Sequence, residues 1–351
     1  MTARPNLVII GDFGKDLDDE HTLLVAARLA RQGIINLKAV VANLSPAHLR
    51  ARIAKGMLKQ LDLDSVPVAV GTPVFEGKTH PYETRISYLA DLSEVLPNGF
   101  DLLKTTLLKS SDRNVILVLQ SGMTDAAELL DREPFLFTQK IRQVAIMGGV
   151  ETENKKIKLD IRGMMTPNNA NNNEFDRESA VFLYWRLQEL KIPMIITTRD
   201  AAYACQFPLT VYDDMENTGN PIGDCLKGRQ KPALQKLWQA ACSAPESKIR
   251  GTLPVDRNRQ WFVKVFCGDV DPAINDGDDI WSYVQNFNLY DPINFVAAIP
   301  NLIDTFFDPT EVWVNGVRHL VIGVSSDNHG VRDIDGLRQF LTAAETSALR
   351  F

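Results

Sequence analysis

Four carboxylates occur within one short stretch of this chain, Asp12-Phe13-Gly14-Lys15-Asp16-Leu17-Asp18-Asp19. An apolar run at residues 7–10 precedes this acidic stretch, and a helix-like run at residues 21–27 follows it. Carboxylates so close together repel one another, and a hard cation such as Ca²⁺, which binds oxygen ligands, would compensate their charge. The alternative is a solvated acidic turn at the N-terminus of a helix. In open α/β sheets the turn after a first strand is also where ligands bind.

The elements that must position these carboxylates alternate between short apolar strands and helices. Further strands are predicted at residues 37–42, 66–71, 115–119, 144–147 and 193–198. Continuous apolar strands between helices are typical of a parallel sheet covered on both faces. Near the end, Asn315-Gly316 predicts a hairpin, and a helix is expected from about residue 334. We therefore predict an α/β fold with a mainly parallel, doubly wound, Rossmann-like central sheet and helices on both faces.

Two segments interrupt this alternation. Residues 150–175 are polar and rich in asparagine, and residues 206–289 mix helical patches with proline, glycine and charge. Long irregular segments in compact domains are usually functional loops or disorder. We predict a single domain, residues 1–351, with an insertion at about 206–289 over the edge of the sheet that carries the site.

Composition narrows the class of protein. The chain has 351 residues, 45% of them apolar and 23% charged, and a net charge of −6, which argues against binding a nucleic-acid polymer. No apolar run approaches the roughly 20 residues that span a bilayer, and the N-terminal residues lack a signal-peptide core, so no membrane association is expected. Its four cysteines are widely spaced and form no metal-binding pattern. Reduced thiols in the cytoplasm are the simplest interpretation.

Five further motifs follow the acidic stretch. They are Asn43 after the second strand, Ser121-Gly122-Met123-Thr124-Asp125, Met147-Gly148-Gly149, Asn172 four residues before Asp176, and Tyr290-Asp291-Pro292. With the acidic stretch, which has the pattern D-x-G-x-D-x-D-D, they resemble the nucleoside hydrolase family of metal-dependent N-ribohydrolases in order and approximate spacing. The resemblance covers residues 6–200 and 288–300. The chain is therefore identified as a divergent member of the calcium-dependent, inosine/uridine-preferring N-ribohydrolase superfamily.

The resemblance implies hydrolysis of an N-ribosidic bond, with release of a base and ribose, as in purine or pyrimidine salvage. That reaction passes through an oxocarbenium-like state, and a bound Ca²⁺ can orient the ribose hydroxyls and a water. By resemblance the metal ligands are Asp12, Asp19, Asp291 and the backbone carbonyl of Thr124, and Asp12 is also the catalytic base. The implied substrate-binding residues are Asp16, Asp18, Asn43, Met147, Asn172 and Tyr290. Asp16 could instead support a ligand, because the usual loop of the family is two residues shorter here.

The departures from the family pattern bear on the ligand. Tyr290 stands where many members have a histidine, and Ala170 stands where they have a glutamate near the ribose 5′ oxygen. A glutamate there would repel a phosphate, and the adjoining loop carries Lys155, Lys158 and Arg162, together with Lys156. We therefore hypothesise a ligand with a 5′ phosphate or a further group, as in a nucleotide or ADP-ribose. The alternative is that these basic side chains are merely solvated.

Two other functions stay open at this point. The protein could be a catalytically weakened relative that binds a nucleoside or ADP-ribose-like ligand as a sensor or interaction protein. It could also be a phosphatase with an aspartate nucleophile after the first strand, although Gly14 replaces the second aspartate of that motif. In each case we expect a small-molecule ligand, and the resemblance to a commonly oligomeric family allows a homo-oligomer.

Overall fold

A computed structural model describes residues 4–14, 17–74, 86–251 and 253–350 of the chain. The strands in these ranges are β1 (Asn6–Gly11), β2 (Asn36–Ala42), β3 (Val68–Val70), β4 (Val115–Leu119), β5 (Ile141–Gly148), β6 (Thr152–Glu153), β7 (Lys156–Ile157), β8 (Met194–Thr198), β9 (Phe207–Pro208), β10 (Asn286–Phe287), β11 (Thr310–Val314) and β12 (Val317–Ile322).

The helices surround these strands in sequence. They are α1 (Asp18–Arg31), α2 (Ala47–Gln60), α3 (Gly99–Leu108), α4 (Thr124–Arg132), α5 (Pro134–Lys140), α6 (Asn171–Glu174), α7 (Arg177–Glu189), α8 (Arg199–Ala204), α9 (Thr210–Glu216), α10 (Pro221–Cys242), α11 (Arg259–Phe266), α12 (Asp291–Ala297), α13 (Pro300–Phe306) and α14 (Ile334–Ala348). Short 3₁₀ helices lie at Leu92–Glu94 and Trp281–Tyr283.

Eight of the described strands form one sheet in the order β11-β12-β8-β5-β4-β1-β2-β3. Neighbouring strands pair in parallel except at the β11–β12 hairpin, which is antiparallel. The chain runs outward from β1 to β3 and then returns to β4 on the other side of β1. The carboxyl ends of β1 and β4 therefore flank a topological switch point, where open α/β sheets bind ligands.

Both faces of the sheet are buried, as the continuous apolar strands predict. Alternate residues of β1 point to opposite faces, with Leu7 and Ile9 in one core and Val8 and Ile10 in the other. Helices α1, α2, α12 and α14 contribute to the first core, and α3, α4 and α7 contribute to the second. The α/β, doubly wound fold and the C-terminal hairpin at Asn315-Gly316 are thus confirmed.

The segment predicted as an insertion leaves and re-enters the fold at one short ladder. Phe207 of β9 pairs with Phe287 of β10, and Pro208 pairs with Asn286. Between them, α10 and α11 contribute to a separate apolar cluster that contains Trp238, among others. Aromatic and aliphatic side chains thus give the later part of the segment a small core of its own, whereas α9 and the first half of α10 pack in the first core of the main sheet.

None of the helices in the described ranges is both long enough and apolar enough to span a membrane.

Candidate functional site

The predicted site residues lie where the carboxyl ends of neighbouring strands meet. Asp12 follows β1, Asn43 follows β2, and Met147 lies near the end of β5. The parallel register places these three strand ends at the same edge of the sheet. Asp16 lies outside the described residues, so its predicted role stays a prediction.

Three aspartates converge at this edge. Asp18 and Asp19 begin α1, Asp291 begins α12, and each offers a carboxylate oxygen within 4.8 Å of those of the other two. The N-terminal end of a helix favours negative charge, which helps to hold these groups in place. Because all three donors are carboxylate oxygens, the triad fits a hard cation such as Ca²⁺. The sequence had assigned Asp18 to the ribose, whereas its position here is also that of a metal ligand.

Burial and like charge act together on two of these carboxylates. Burial raises the pKa of Asp19 well above its usual value, and the charges of Asp12 and Asp18 raise it further. Burial likewise raises the pKa of Asp291, with added contributions from Asp18 and Asp19. Holding these side chains ionised is therefore costly in the protein alone, and a bound cation would remove that cost.

Two glycines allow the acidic stretch to adopt this arrangement. A Cβ atom on Gly11 would lie 2.2 Å from the Oδ1 atom of Asp19, so only glycine lets that carboxylate approach the end of β1. The same Oδ1 atom accepts a hydrogen bond from the backbone N–H of Asp12, at 3.3 Å. Gly14 has a φ of 102°, which favours glycine, and its N–H donates to Glu20 at 3.3 Å.

Asp12 is buried beside an arginine that the sequence analysis missed. Arg50 is itself buried, and one of its nitrogens lies 3.9 Å from Oδ2 of Asp12. The guanidinium also donates to the backbone carbonyls of Asp12, Phe13 (3.2 Å) and Ser45 (3.0 Å). The available signal was the position of Arg50 on the buried face of α2. Ala47 lies three residues before it and Met57 seven residues after it, so an apolar residue is expected at position 50.

Asn43 is held entirely by protein groups in this structure. Its amide donates to the carbonyl of Gly122 at 2.8 Å and to Asp125 at 2.9 Å, and it accepts from the hydroxyl of Ser121. Both of its N–H bonds are thereby used, and the side chain is buried. This arrangement gives Asn43 a structural role, and a contact from its amide to ribose would require one of these bonds to open.

Asn172 bridges two strand ends. Its amide donates to the carbonyl of Gln120 at 2.9 Å and to that of Met147 at 3.0 Å. Its Oδ1 atom is therefore the atom with capacity to accept from a ribose hydroxyl. Thr124 begins α4 at the same edge, and its hydroxyl donates to Asp176 at 2.6 Å.

Gln120 is a second residue that the motif comparison missed. It follows β4, and its buried amide donates to the backbone carbonyl of Asp291 and to the hydroxyl of Thr22, both at 2.9 Å. These bonds fix the start of α12 against α1. Gln120 thus helps to position Asp291 against the other two carboxylates.

The ring of Tyr290 packs against a residue of helix α8. Its ring centroid lies 6.2 Å from that of Tyr203, in an edge-to-face arrangement. Burial raises the pKa of Tyr290 well above its usual value, and Tyr203 and the charge of Asp18 raise it further. Tyr290 is therefore a neutral hydrogen-bond donor at physiological pH, which makes it a poorer acid than the histidine it replaces.

Three of the four basic side chains in the loop expected to meet a phosphate have acidic partners. Lys155 pairs with Asp327, Lys158 lies 3.0 Å from Glu153, and Arg162 lies 3.1 Å from Asp160. Arg162 also stacks over Trp185, with its guanidinium 4.0 Å from the ring centroid. Because these three basic side chains already have carboxylate partners, the pairs weaken the expectation that this loop receives a phosphate.

Comparison with known proteins shows which solved structures share this fold. No model of a protein family matches the chain, and neither does any curated protein. Among solved structures, the type III effector protein XopQ, solved in complex with adenosine diphosphate ribose, is 29% identical with a TM-score of 0.85, over 99% of this chain and 95% of that one. The effector protein XOO4466 is 28% identical with a TM-score of 0.81, over the same shares of the two chains.

Hydrolases share the fold at greater distance. The purine-preferring ribonucleoside hydrolase from Gardnerella vaginalis is 12% identical with a TM-score of 0.61, over 98% of this chain and 99% of that one. This chain has a nucleoside hydrolase-like fold. The likeness to the hydrolase shows a common fold, and the likeness to XopQ is the stronger of the two.

Proposed function

We propose that the protein hydrolyses the N-ribosidic bond of a nucleoside or nucleoside-derived ligand with the help of Ca²⁺. The observation that carries this proposal is the convergence of carboxylate oxygens of Asp18, Asp19 and Asp291 within 4.8 Å. Such a cluster at the switch point of a nucleoside hydrolase-like fold suits a cation and the hydroxyls of a ribose.

The proposed ligands of the ion are Asp12, Asp19, Asp291 and the backbone carbonyl of Thr124, with Asp18 either joining them or holding the ribose. When bound, Ca²⁺ supplies a positive charge that orients the ribose hydroxyls and an attacking water and lowers the pKa of that water. The fit rests on the oxygen donors themselves and on the raised pKa values of the buried Asp19 and Asp291.

The chain's own residues then divide the reaction between them. Asp12 accepts one proton from the water, whose oxygen forms a bond to the anomeric carbon. The bond from that carbon to the base nitrogen breaks, and its electron pair leaves with the base. Arg50 holds the backbone of Asp12 and Phe13 and thereby orients the Asp12 carboxylate. Asn172 accepts from a ribose hydroxyl, and Tyr290 donates to the departing base or stacks on it.

The direct test is release of free ribose or ribose phosphate from inosine, uridine, their 5′-monophosphates and ADP-ribose, with Ca²⁺ and with chelator. We expect release that the chelator abolishes. Asp12→Asn should lower kcat by about 100-fold or more, because general-base catalysis contributes at least that much. Asp327→Asn, at an exposed carboxylate, is the matched control and should retain activity. Release that persists in chelator would contradict the proposed metal.

A second candidate is an ADP-ribose-binding relative without turnover, which acts as a sensor or interaction protein. It is favoured by the XopQ structure, because that protein was solved with ADP-ribose and shares 29% identity with this chain. Calcium-dependent binding of ADP-ribose with no ribose released from any member of the panel would select this candidate. The phosphatase alternative has no such support.

The cellular setting is also a proposal. The four cysteines form no disulfide, which is consistent with a reducing compartment such as the cytoplasm. A homo-oligomer follows only from the resemblance to the hydrolase family, and sedimentation of the purified protein would test it.

A further inference from the structure

The arginines of the segment between β9 and β10 differ in what they contact. Arg229 pairs with Glu20 at 2.8 Å, and Arg259 pairs with Asp271 at 2.7 Å. Arg257 instead donates to the hydroxyl of Tyr203 at 3.1 Å. Within the described ranges no carboxylate oxygen lies within the 4.0 Å of an ion pair from its guanidinium. Arg257 is thus a cation whose charge no carboxylate of those ranges meets directly.

Contacts at both the backbone and the guanidinium of Arg257 hold it in place. Its backbone carbonyl accepts a hydrogen bond from the buried Arg250 at 3.2 Å, and Arg250 also donates to the carbonyls of Pro254 (2.6 Å) and Val255 (3.1 Å). Its guanidinium lies 4.9 Å from the ring centroid of Trp261. The loop therefore presents this side chain in one position, whereas an exposed arginine on a loose loop would sample many.

Two aromatic side chains connect Arg257 to the carboxylates. Tyr203, to which Arg257 donates, packs edge-to-face against Tyr290 at 6.2 Å between ring centroids. Tyr290 immediately precedes Asp291, one of the three converging aspartates. Two tyrosines thus link the guanidinium to the residue next to Asp291, which places it at the rim of the candidate site.

We infer that Arg257 recognises a phosphate of the ligand, so that the substrate class is a nucleoside phosphate or diphosphate such as ADP-ribose. This inference rests on the proposed function, because a ribose at the three aspartates determines where its phosphate lies. The aspartates repel an anion, and a fixed cation at the rim offsets that repulsion for a ligand bearing one. A guanidinium has five N–H donors in a planar fork, and one bond to Tyr203 leaves others for two phosphate oxygens.

The inference is also consistent with the ion pairs of the basic loop. Lys155, Lys158 and Arg162 each have a carboxylate partner that a phosphate would have to displace. Arg257 requires no such exchange. The structure thereby moves the expected phosphate contact from the loop after β5 to the segment between β9 and β10.

The test is isothermal titration calorimetry of the calcium-loaded protein with inosine, inosine 5′-monophosphate and ADP-ribose, with free ribose measured in the same samples. The variants are Arg257→Gln, Arg257→Lys and, as the matched control, Lys155→Gln. We expect Arg257→Gln to weaken ADP-ribose and monophosphate binding about tenfold or more and to leave inosine binding unchanged. The affinity of Arg257→Lys for these ligands should lie between those of the wild type and Arg257→Gln, because lysine keeps the positive charge and loses the planar arrangement of N–H donors. Lys155→Gln should bind all three ligands as the wild type does.

The outcomes separate the inference from the proposed function. Inosine binding without any gain from a phosphate, or equal ADP-ribose binding by Arg257→Gln and the wild type, overturns the inference and leaves the hydrolase proposal standing. A loss confined to Lys155→Gln also overturns it and returns the phosphate to the basic loop. A wild-type protein that binds none of the three ligands overturns both. Unchanged thermal midpoints of the variants show that any loss is local.

Discussion

The first turn of α1 carries two kinds of buried charge side by side. Glu20 pairs with a cation from a distant part of the chain, Arg229, at 2.8 Å, and the ring of the next residue, His21, lies 3.1 Å from Glu345. Asp19, the residue just before them, instead lies among the like charges of Asp12 and Asp18. Neighbouring residues of one helix thus differ in role. The Glu20–Arg229 ion pair joins distant elements of the fold, whereas the clustered aspartates form the candidate cation site.

The matched pair Glu20–Arg229 should give the largest effect when it is broken. Both side chains are almost fully buried, with 0% and 2% exposed. Arg229→Met leaves the Glu20 carboxylate buried without its partner, and we expect a loss of about 3–5 kcal/mol in the free energy of unfolding. Urea denaturation measures it. The double variant with Glu20→Gln should recover much of the loss, and a double variant as unstable as the single one would show that the pair is not the cause.

The gathered aspartates should behave in the opposite way. Asp19→Asn removes a buried like charge and keeps the Oδ1 atom that accepts from Asp12, so without calcium we expect a variant at least as stable as the wild type. Wild-type protein should gain about 2.7 kcal/mol from calcium at 100 times its Kd, and the variant should lose most of that gain. Thermal midpoints with and without calcium test both points. A variant that stays unfolded in excess calcium would contradict the distinction between the Glu20–Arg229 pair and the clustered aspartates.

His319 provides a third case, a buried ionisable side chain whose pKa is shifted by burial. Its Nδ1 atom accepts from the backbone N–H of Met194 at 3.1 Å, and burial lowers the pKa of His319 to about 4. Because its unfolded pKa is about 6.5, the stability that it contributes is complete above that pH and is lost as pH falls toward 4. Between about pH 6.5 and 4.5 we expect the wild type to lose about 2 kcal/mol more than His319→Gln in urea denaturation. Equal losses would mean that His319 does not titrate in this way.

The smallest effect should come from a charge pair at the surface. Lys155 and Asp327 pair with 68% and 70% of their side chains exposed, so solvent and salt screen them. Lys155→Gln should leave the thermal midpoint unchanged within error. A clear drop in the thermal midpoint would indicate that exposed ion pairs stabilise this protein as buried ones do.

Local patterns explain how far the sequence could lead. Apolar runs identify the strands of the main sheet, and the resemblance named Asp12, Asn43 and Met147, which the structure places at the one edge where parallel strands end. The recurring order of short motifs led from there to Asp291, far along the chain. Both signals reside in residues that lie close together in the sequence.

Contacts between distant residues account for what the sequence could not show. Nothing near Glu20 indicates Arg229 as its partner, and nothing in the basic loop indicates Asp327. The role of Asn43 likewise depends on Ser121, Gly122 and Asp125, which only the folded sheet brings to it. A residue type and its position in an element can be inferred locally, whereas the partner that decides its role cannot.

The short ladder between β9 and β10 has a consequence for sequence variation in the segment that it closes. The two ends of the intervening segment are paired with each other, and α11 with the second half of α10 packs in a cluster of its own. Changes of length or sequence in that part of the segment are therefore expected to leave the strands that carry the aspartates in place. The rest of the segment is more constrained, because α9 packs in the first core, Arg229 pairs with Glu20 of α1, and Arg257 donates to Tyr203 of α8.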